Sequence, residues 1–148
     1  MSDTPTTPIH LDADVVMYLR VQITPPLRVG PTGQGTLQVI PIVGGTVWGP
    51  LVNGVVVSGG ADWNTSRDDG LAHVFAKYLL QTDDGAYIAI ENEGVFDPTR
   101  EAVIKTRPTF AVDVNGKYRE LNQGVYVGGL SFTPSAPDSV DITIYRLR

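Results

Sequence analysis

Cysteine is absent from the chain, and with it go disulfide staples, thiolate nucleophiles, Fe–S clusters and zinc–thiolate sites. Histidine is nearly absent: His10 and His73 are the whole supply, and no HxH or HxxxH spacing supports a catalytic zinc centre. Residues that coat exposed helices are scarce too, with 4 Glu and 3 Lys in 148 residues. Charged residues make up 18% of the chain, below the roughly 25% of an average soluble domain. Net charge is −5 and the 11 basic residues are scattered, so nucleic acid is not an expected partner. No apolar run approaches the ~20 residues of a membrane-spanning helix. Met1 to Pro8 has neither the basic nor the apolar region of a signal peptide. A soluble cytoplasmic protein without a membrane partner is the expectation. Gly-x-Ser-x-Gly and Gly-x-Gly-x-x-Gly are both missing, and Gly33-Gln34-Gly35 precedes a strand, not a phosphate-binding helix.

What the chain holds instead is β-branched: 19 Val, 9 Ile and 14 Thr, or 42 of 148 residues, punctuated by 16 Gly and 11 Pro. Met17, Leu19, Val21 and Ile23 alternate with Arg20 and Gln22, the period of a half-buried strand. Short β-rich runs follow at 37–43, 46–48 and 51–57, split by Gly44-Gly45, Gly49-Pro50 and Gly54. The clearest hairpin joins 71–82 to 86–92 through Asp83-Asp84-Gly85. A two-residue turn there would put Phe75, Lys77, Leu79, Ile88 and Ile90 on one face, and a three-residue turn Tyr78, Leu80, Ile88 and Ile90. Residues 97–102 read as a helical turn led by Asp97-Pro98. Strands are expected at 105–112, with Pro108 at an edge or bulge, and at 118–121, 125–127 and 140–145. The sum is an all-β chain of about eight to ten short strands. Its economical topology is a single closed antiparallel β-barrel over 15–148 behind a flexible N-terminal tail, 1–14.

Several stretches carry a resemblance. Pro41-Ile42-Val43-Gly44-Gly45-Thr46, Gly49-Pro50-Leu51 and Gly59-Gly60-Ala61-Asp62-Trp63 come first. Lys77-Tyr78, Thr82-Asp83-Asp84-Gly85-Ala86, Thr106-Arg107-Pro108-Thr109-Phe110 and residues 118–122 follow in order. Together they resemble the uncharacterised family called domain of unknown function 3237, over roughly 19–145. The resemblance implies a small closed β-barrel with a central cavity, similar to allene-oxide-cyclase-like and lipocalin-like barrels, and no settled reaction. The chain departs from the family pattern at Phe75, Lys105, Ala111 and Glu120, where the family tends to have an acidic residue, Arg, Glu and Trp. The segment between 92–94 and Lys105 is also shorter. If those positions line the cavity in relatives, the interior here is more apolar and its ligand different.

Asp62 is the candidate acid or base: Gly59-Gly60 would let the backbone turn sharply and aim both Asp62 and Trp63 inward. The plainer role for the pair is a turn cap and a core plug. Tyr78, Tyr118 and Asn122 are candidate donors to a substrate carbonyl, or else ordinary core and turn residues. Lys105 is either a cavity cation, even a Schiff-base amine, or a solvated lysine. His73, with Phe75 as its strand neighbour, is either an acid–base group or an outward strand residue. Trp63, Phe75, Lys105 and His73 form the expected substrate-binding set. Asp68-Asp69 and Asp83-Asp84 read as turn chemistry and not as calcium ligands. No metal and no cofactor is called for. The leading expectation is a cofactor-free isomerase, cyclase or hydratase/lyase acting on a small, largely apolar metabolite in the barrel. The alternative is a lipocalin-like small-molecule binding protein without turnover. A homo-oligomer is compatible with both.

Overall fold

The computed structural model describes residues 7–133 and 135–148. Nine strands carry the chain: β1 (Ala13–Ile23), β2 (Leu27–Thr32), β3 (Gly35–Trp48), β4 (Gly54–Ser66), β5 (Ala72–Thr82), β6 (Tyr87–Phe96), β7 (Ile104–Ala111), β8 (Tyr126–Phe132) and β9 (Ser139–Leu147). They pair antiparallel in the order β1-β9-β8-β7-β6-β5-β4-β3-β2, and a further β1–β3 ladder closes eight of them into a barrel. β2 is the extra strand, paired with the first half of β3 only. Closure gives each of the eight strands of the wall two neighbours. Among the described residues no helix is long and apolar enough to cross a membrane.

Several glycines expected to end strands instead bend them. The runs 37–43 and 46–48 are one strand, β3, whose register against β1 slips where Gln22 faces Gly44 and Ile23 faces Ile42. Gly45 sits at φ +135°, and a Cβ there would strike the Arg20 carbonyl oxygen. A β-bulge kinks the strand without ending it. Gly59-Gly60 acts likewise inside β4, where the register against β5 shifts between Val57 and Ala61. In the β5–β6 hairpin Tyr78 pairs with Ile90 and Leu80 with Ile88, the grouping of a three-residue loop. Gly85, at φ +90°, is the one loop residue there with positive φ, so the two-residue turn that needs two such residues is not formed.

One local expectation is corrected and another is met. Residues 118–121 are not a strand: Arg119–Asn122 is a short 3-10 helix, held by i→i+3 bonds such as Leu121 N to Tyr118 O at 3.0 Å. Residues 97–102 make the single helical turn expected: Arg100 N and Glu101 N both donate to Asp97 O, at 3.1 and 3.2 Å, and the Asp97 carboxylate accepts from Thr99 N and Oγ1. Pro108 lies in β7 beyond the stretch paired with β8, which spans only Ile104 to Thr106. At the N-terminus the expected tail is shorter than 1–14: Asp12 and Arg148 exchange backbone bonds, and β1 begins at Ala13. Residues 1–6 of that expectation lie outside the described residues.

The barrel interior divides in two. One half is solid, with Met17, Leu80, Ile88 and Ile144 fully buried and Leu121 and Tyr118 closing it from below. Tyr118 donates from its hydroxyl to Asp84 Oδ1 at 3.0 Å, tying the closing loop to the β5–β6 hairpin. Bonds from Thr82 and then Tyr118 hold the Asp84 carboxyl below its usual range. The other half is hollow.

Candidate functional site

The hollow half is a cavity of about 410 Å³ that opens between Phe96, Pro98 and Glu101 on one side and Phe132 on the other. Its walls are mostly aliphatic, with Ile40, Ile42, Val74, Ile104, Leu130 and Ile142 among them. Besides Glu101, five polar side chains, all on strands, interrupt that lining: Asp62, Asn64, Tyr78, Asn92 and Thr106. Strand alternation places them. Ile40, Asp62, Ala76 and Asn92 are successive cross-strand partners on β3, β4, β5 and β6, so one inward row carries a carboxyl and an amide with only a methyl between them. Tyr78 is the next inward residue of β5 after Ala76. Gly60 lets the tyrosine lie close to β4, since a Cβ there would come within 2.9 Å of the Tyr78 Cα.

Burial in the cavity shifts the protonation of Asp62 and Tyr78. Burial pushes the Asp62 carboxyl up to about 6, against an opposing hydrogen bond from Phe75 N–H to Oδ1 at 3.1 Å and a smaller pull from His73. Burial, and then the Asp62 charge, push the Tyr78 hydroxyl far above its ordinary range, so it keeps its proton. Tyr78 OH, Asn92 Oδ1 and Thr106 Oγ1 are buried without a hydrogen-bond partner among the described residues, and all three residues line this cavity. Buried polar atoms are nearly always paired, so three exceptions around one hollow mark a place where something else supplies the partner. Among the described residues no three His, Asp or Glu side chains gather as a metal ion would require.

Of the residues singled out from sequence, Asp62 and Tyr78 come together in the cavity. The others stand elsewhere. β4 runs straight through 62 and 63, so the two side chains point to opposite faces and Trp63 lies outside, 51% exposed. Phe75 is the Trp63 partner on that outer face, and it serves the site only through its backbone N–H. His73 is on the same face, with its Nε2 2.8 Å from Glu93 Oε2. Lys105 points to solvent, 3.9 Å from Glu101. Tyr118 closes the solid end of the barrel, and Asn122 clamps Val112, accepting from its N at 2.9 Å and donating to its O at 3.0 Å. Asn122→Ala is therefore expected to lower stability by about 1–2 kcal/mol, read by urea unfolding, and to leave cavity binding unchanged.

Asn64, Asn92 and Thr106 were missed. The signal was present: Ile88, Ile90, Asn92 and Gly94 alternate on the buried face of β6, and Ile104, Thr106 and Pro108 on that of β7. A polar residue on an apolar inward stripe is the feature to look for.

The barrel is also what the chain's relatives display. The sequence pattern of the family described as protein of unknown function (DUF3237) matches residues 12–147. The chain belongs to the DUF3237 family. A UPF0311 protein of Rhodopseudomonas palustris is 33% identical over 133 residues, covering 80% of this chain and 86% of its own. A crystal structure of a β-barrel-like protein from Acinetobacter baumannii covers 96% of this chain and 99% of its own at 28% identity, with a TM-score of 0.83. The fold recurs in an enzyme from Penicillium herquei at 19% identity and a TM-score of 0.79, covering 98% of this chain and 100% of its own. In this DUF3237 chain Phe75, Lys105, Ala111 and Glu120, the positions expected to depart from the family pattern, all fall outside the lining of this cavity.

Proposed function

We propose that the protein is a cofactor-free enzyme that takes a small, largely apolar molecule into the barrel and works on it by acid–base catalysis. Asp62 is the base and Tyr78 the hydrogen-bond donor. The observation that supports this is the meeting, in one mostly aliphatic cavity, of a carboxyl held near 6 and a hydroxyl that stays protonated. A carboxyl at that value is largely ionised at neutral pH yet basic enough to take a proton. The Tyr78 hydroxyl is placed to bond an oxygen on which negative charge gathers as the proton leaves. Return of the proton to another atom gives an isomerisation. Ring closure or loss of a neighbouring hydroxyl before its return gives a cyclisation or an elimination. Apolar walls strengthen both contacts by keeping water out.

The test is to incubate the wild-type protein and Asp62→Asn with a small-molecule extract of the source cells and follow consumption by mass spectrometry. Compounds consumed by the wild type are expected to turn over roughly 10²- to 10⁴-fold more slowly in the variant, with a rate that rises through about pH 6 in the wild type only. Undiminished turnover in folded Asp62→Asn removes that residue from catalysis. A compound retained by both proteins and consumed by neither makes the protein a binder without turnover.

A further inference from the structure

We propose that Asn92 and Thr106 form the polar anchor of the cavity's ligand, and that this ligand is uncharged, largely hydrocarbon, and carries a hydroxyl or keto oxygen at the end facing them. The inference rests on the reading of the cavity as a small-molecule site and names what the site selects.

Asn92 is 3% exposed and Thr106 4%, yet Asn92 Oδ1 and Thr106 Oγ1 have no partner among the described residues. Leucine and valine would fill the same space without a polar atom to desolvate, so neither side chain is explained by packing. The backbone makes room for the pair. On β8, Gly128 faces Thr106, and a Cβ there would press on Thr106 Oγ1 and come within 3.7 Å of Asn92 Oδ1. Any larger residue at 128 would displace Thr106 Oγ1 and crowd the Asn92 amide, so the glycine is what lets both side chains stand here.

Charge narrows the ligand. No Lys, Arg or His lines the cavity, whereas the carboxyls of Asp62 and Glu101 do, so a carboxylate or phosphate would enter against like charge with no cation to meet it. An ammonium would have to shed its hydration among aliphatic walls for one carboxylate partner. Glu101 at the mouth already accepts from Asp97 N at 3.1 Å. The free atoms suit a neutral oxygen: the Thr106 hydroxyl donates to a keto group, and Asn92 Oδ1 accepts from an alcohol or phenol. Two strand spacings, about 10 Å, separate the backbones that carry Asp62 and Asn92. A compact hydrocarbon body fits between them, with its anchored oxygen at Asn92 and Thr106 and its reacting atoms beside Asp62.

The test is calorimetric titration at pH 7 with four probes of one shape: naphthalene, naphthol, naphthoate and naphthylmethylammonium. Wild-type protein is expected to bind naphthol about 10- to 100-fold more tightly than naphthalene, with naphthoate the weakest. Thr106→Val and Asn92→Leu, separately and together, are expected to erase that preference by weakening naphthol while naphthalene is unchanged. Thr106→Val is nearly isosteric, so it tests the anchor even if Asn92→Leu fails to fold. Equal affinity for naphthol and naphthalene in the wild type, a preference that survives in Thr106→Val and the double variant, or tighter binding of the ammonium than of naphthol would each overturn the anchor while leaving the cavity a small-molecule site. Failure of all four probes to bind would overturn the cavity reading itself, and the anchor with it.

Discussion

Asp62→Asn is expected to be more stable than the wild-type protein at pH 8 and nearly equal to it at pH 4. In the folded chain the Asp62 carboxyl holds its proton up to about 6, against an ordinary 3.8 when unfolded. Between those values the folded state binds more protons than the unfolded one, so stability falls as pH rises through that window. Above pH 6 the whole penalty is present, about 3 kcal/mol at 1.36 kcal/mol per pH unit. Asparagine has no charge to desolvate, and its Oδ1 can still accept from Phe75 N–H. Urea unfolding at pH 4, 6 and 8 should show a gap between the two proteins that opens across the window to roughly 2–3 kcal/mol. A gap of the same size at pH 4 and pH 8 would mean that the carboxyl is not desolvated as described. The gain in stability comes with the loss of turnover proposed above, the trade expected where a strained group is kept for its chemistry.

The fold was legible wherever alternation ran unbroken. Met17 to Ile23 could be read from the spacing of apolar residues, whereas the β5–β6 hairpin allowed two registers, of which the one with the Tyr78–Leu80 face inward is formed. Glycine pairs were the weak point, because one dipeptide serves a turn and a bulge equally well. Which it becomes is decided by a distant strand, as Gly45 against Arg20 shows. The same ambiguity governed the site. Taking Gly59-Gly60 as a sharp turn sent both Asp62 and Trp63 inward. Taking residues 54–66 as one bulged strand puts them on opposite faces, as the structure has them. Tyr118 and Asn122 lay beyond sequence reasoning for another reason. Their places depend on a 3-10 turn set by Gly116 and on bonds to Asp84 and Val112, residues 34 and 10 positions away.

Leu80→Ala and Ile42→Ala are expected to separate the two halves of the barrel, although both side chains are buried, at 0% and 3% exposure. Leu80 sits in the solid half, paired across strands with Ile88 and Val56, so its truncation removes contacts on every side and leaves a new void. That costs about 3–5 kcal/mol, a large part of the roughly 5–15 kcal/mol that holds a domain folded. Ile42 faces the cavity, where one side of the chain has no packed neighbour to lose. Its truncation enlarges an existing hollow and is expected to cost nearer 1–2 kcal/mol, while altering which probes the cavity holds. Urea unfolding of the two variants at one pH gives the comparison. A cost at Ile42 equal to that at Leu80 would mean that the free protein packs its upper half as tightly as its lower, with no room for a ligand. The unequal cost is the thermodynamic mark of a barrel whose solid end carries the stability that lets the other end stay open.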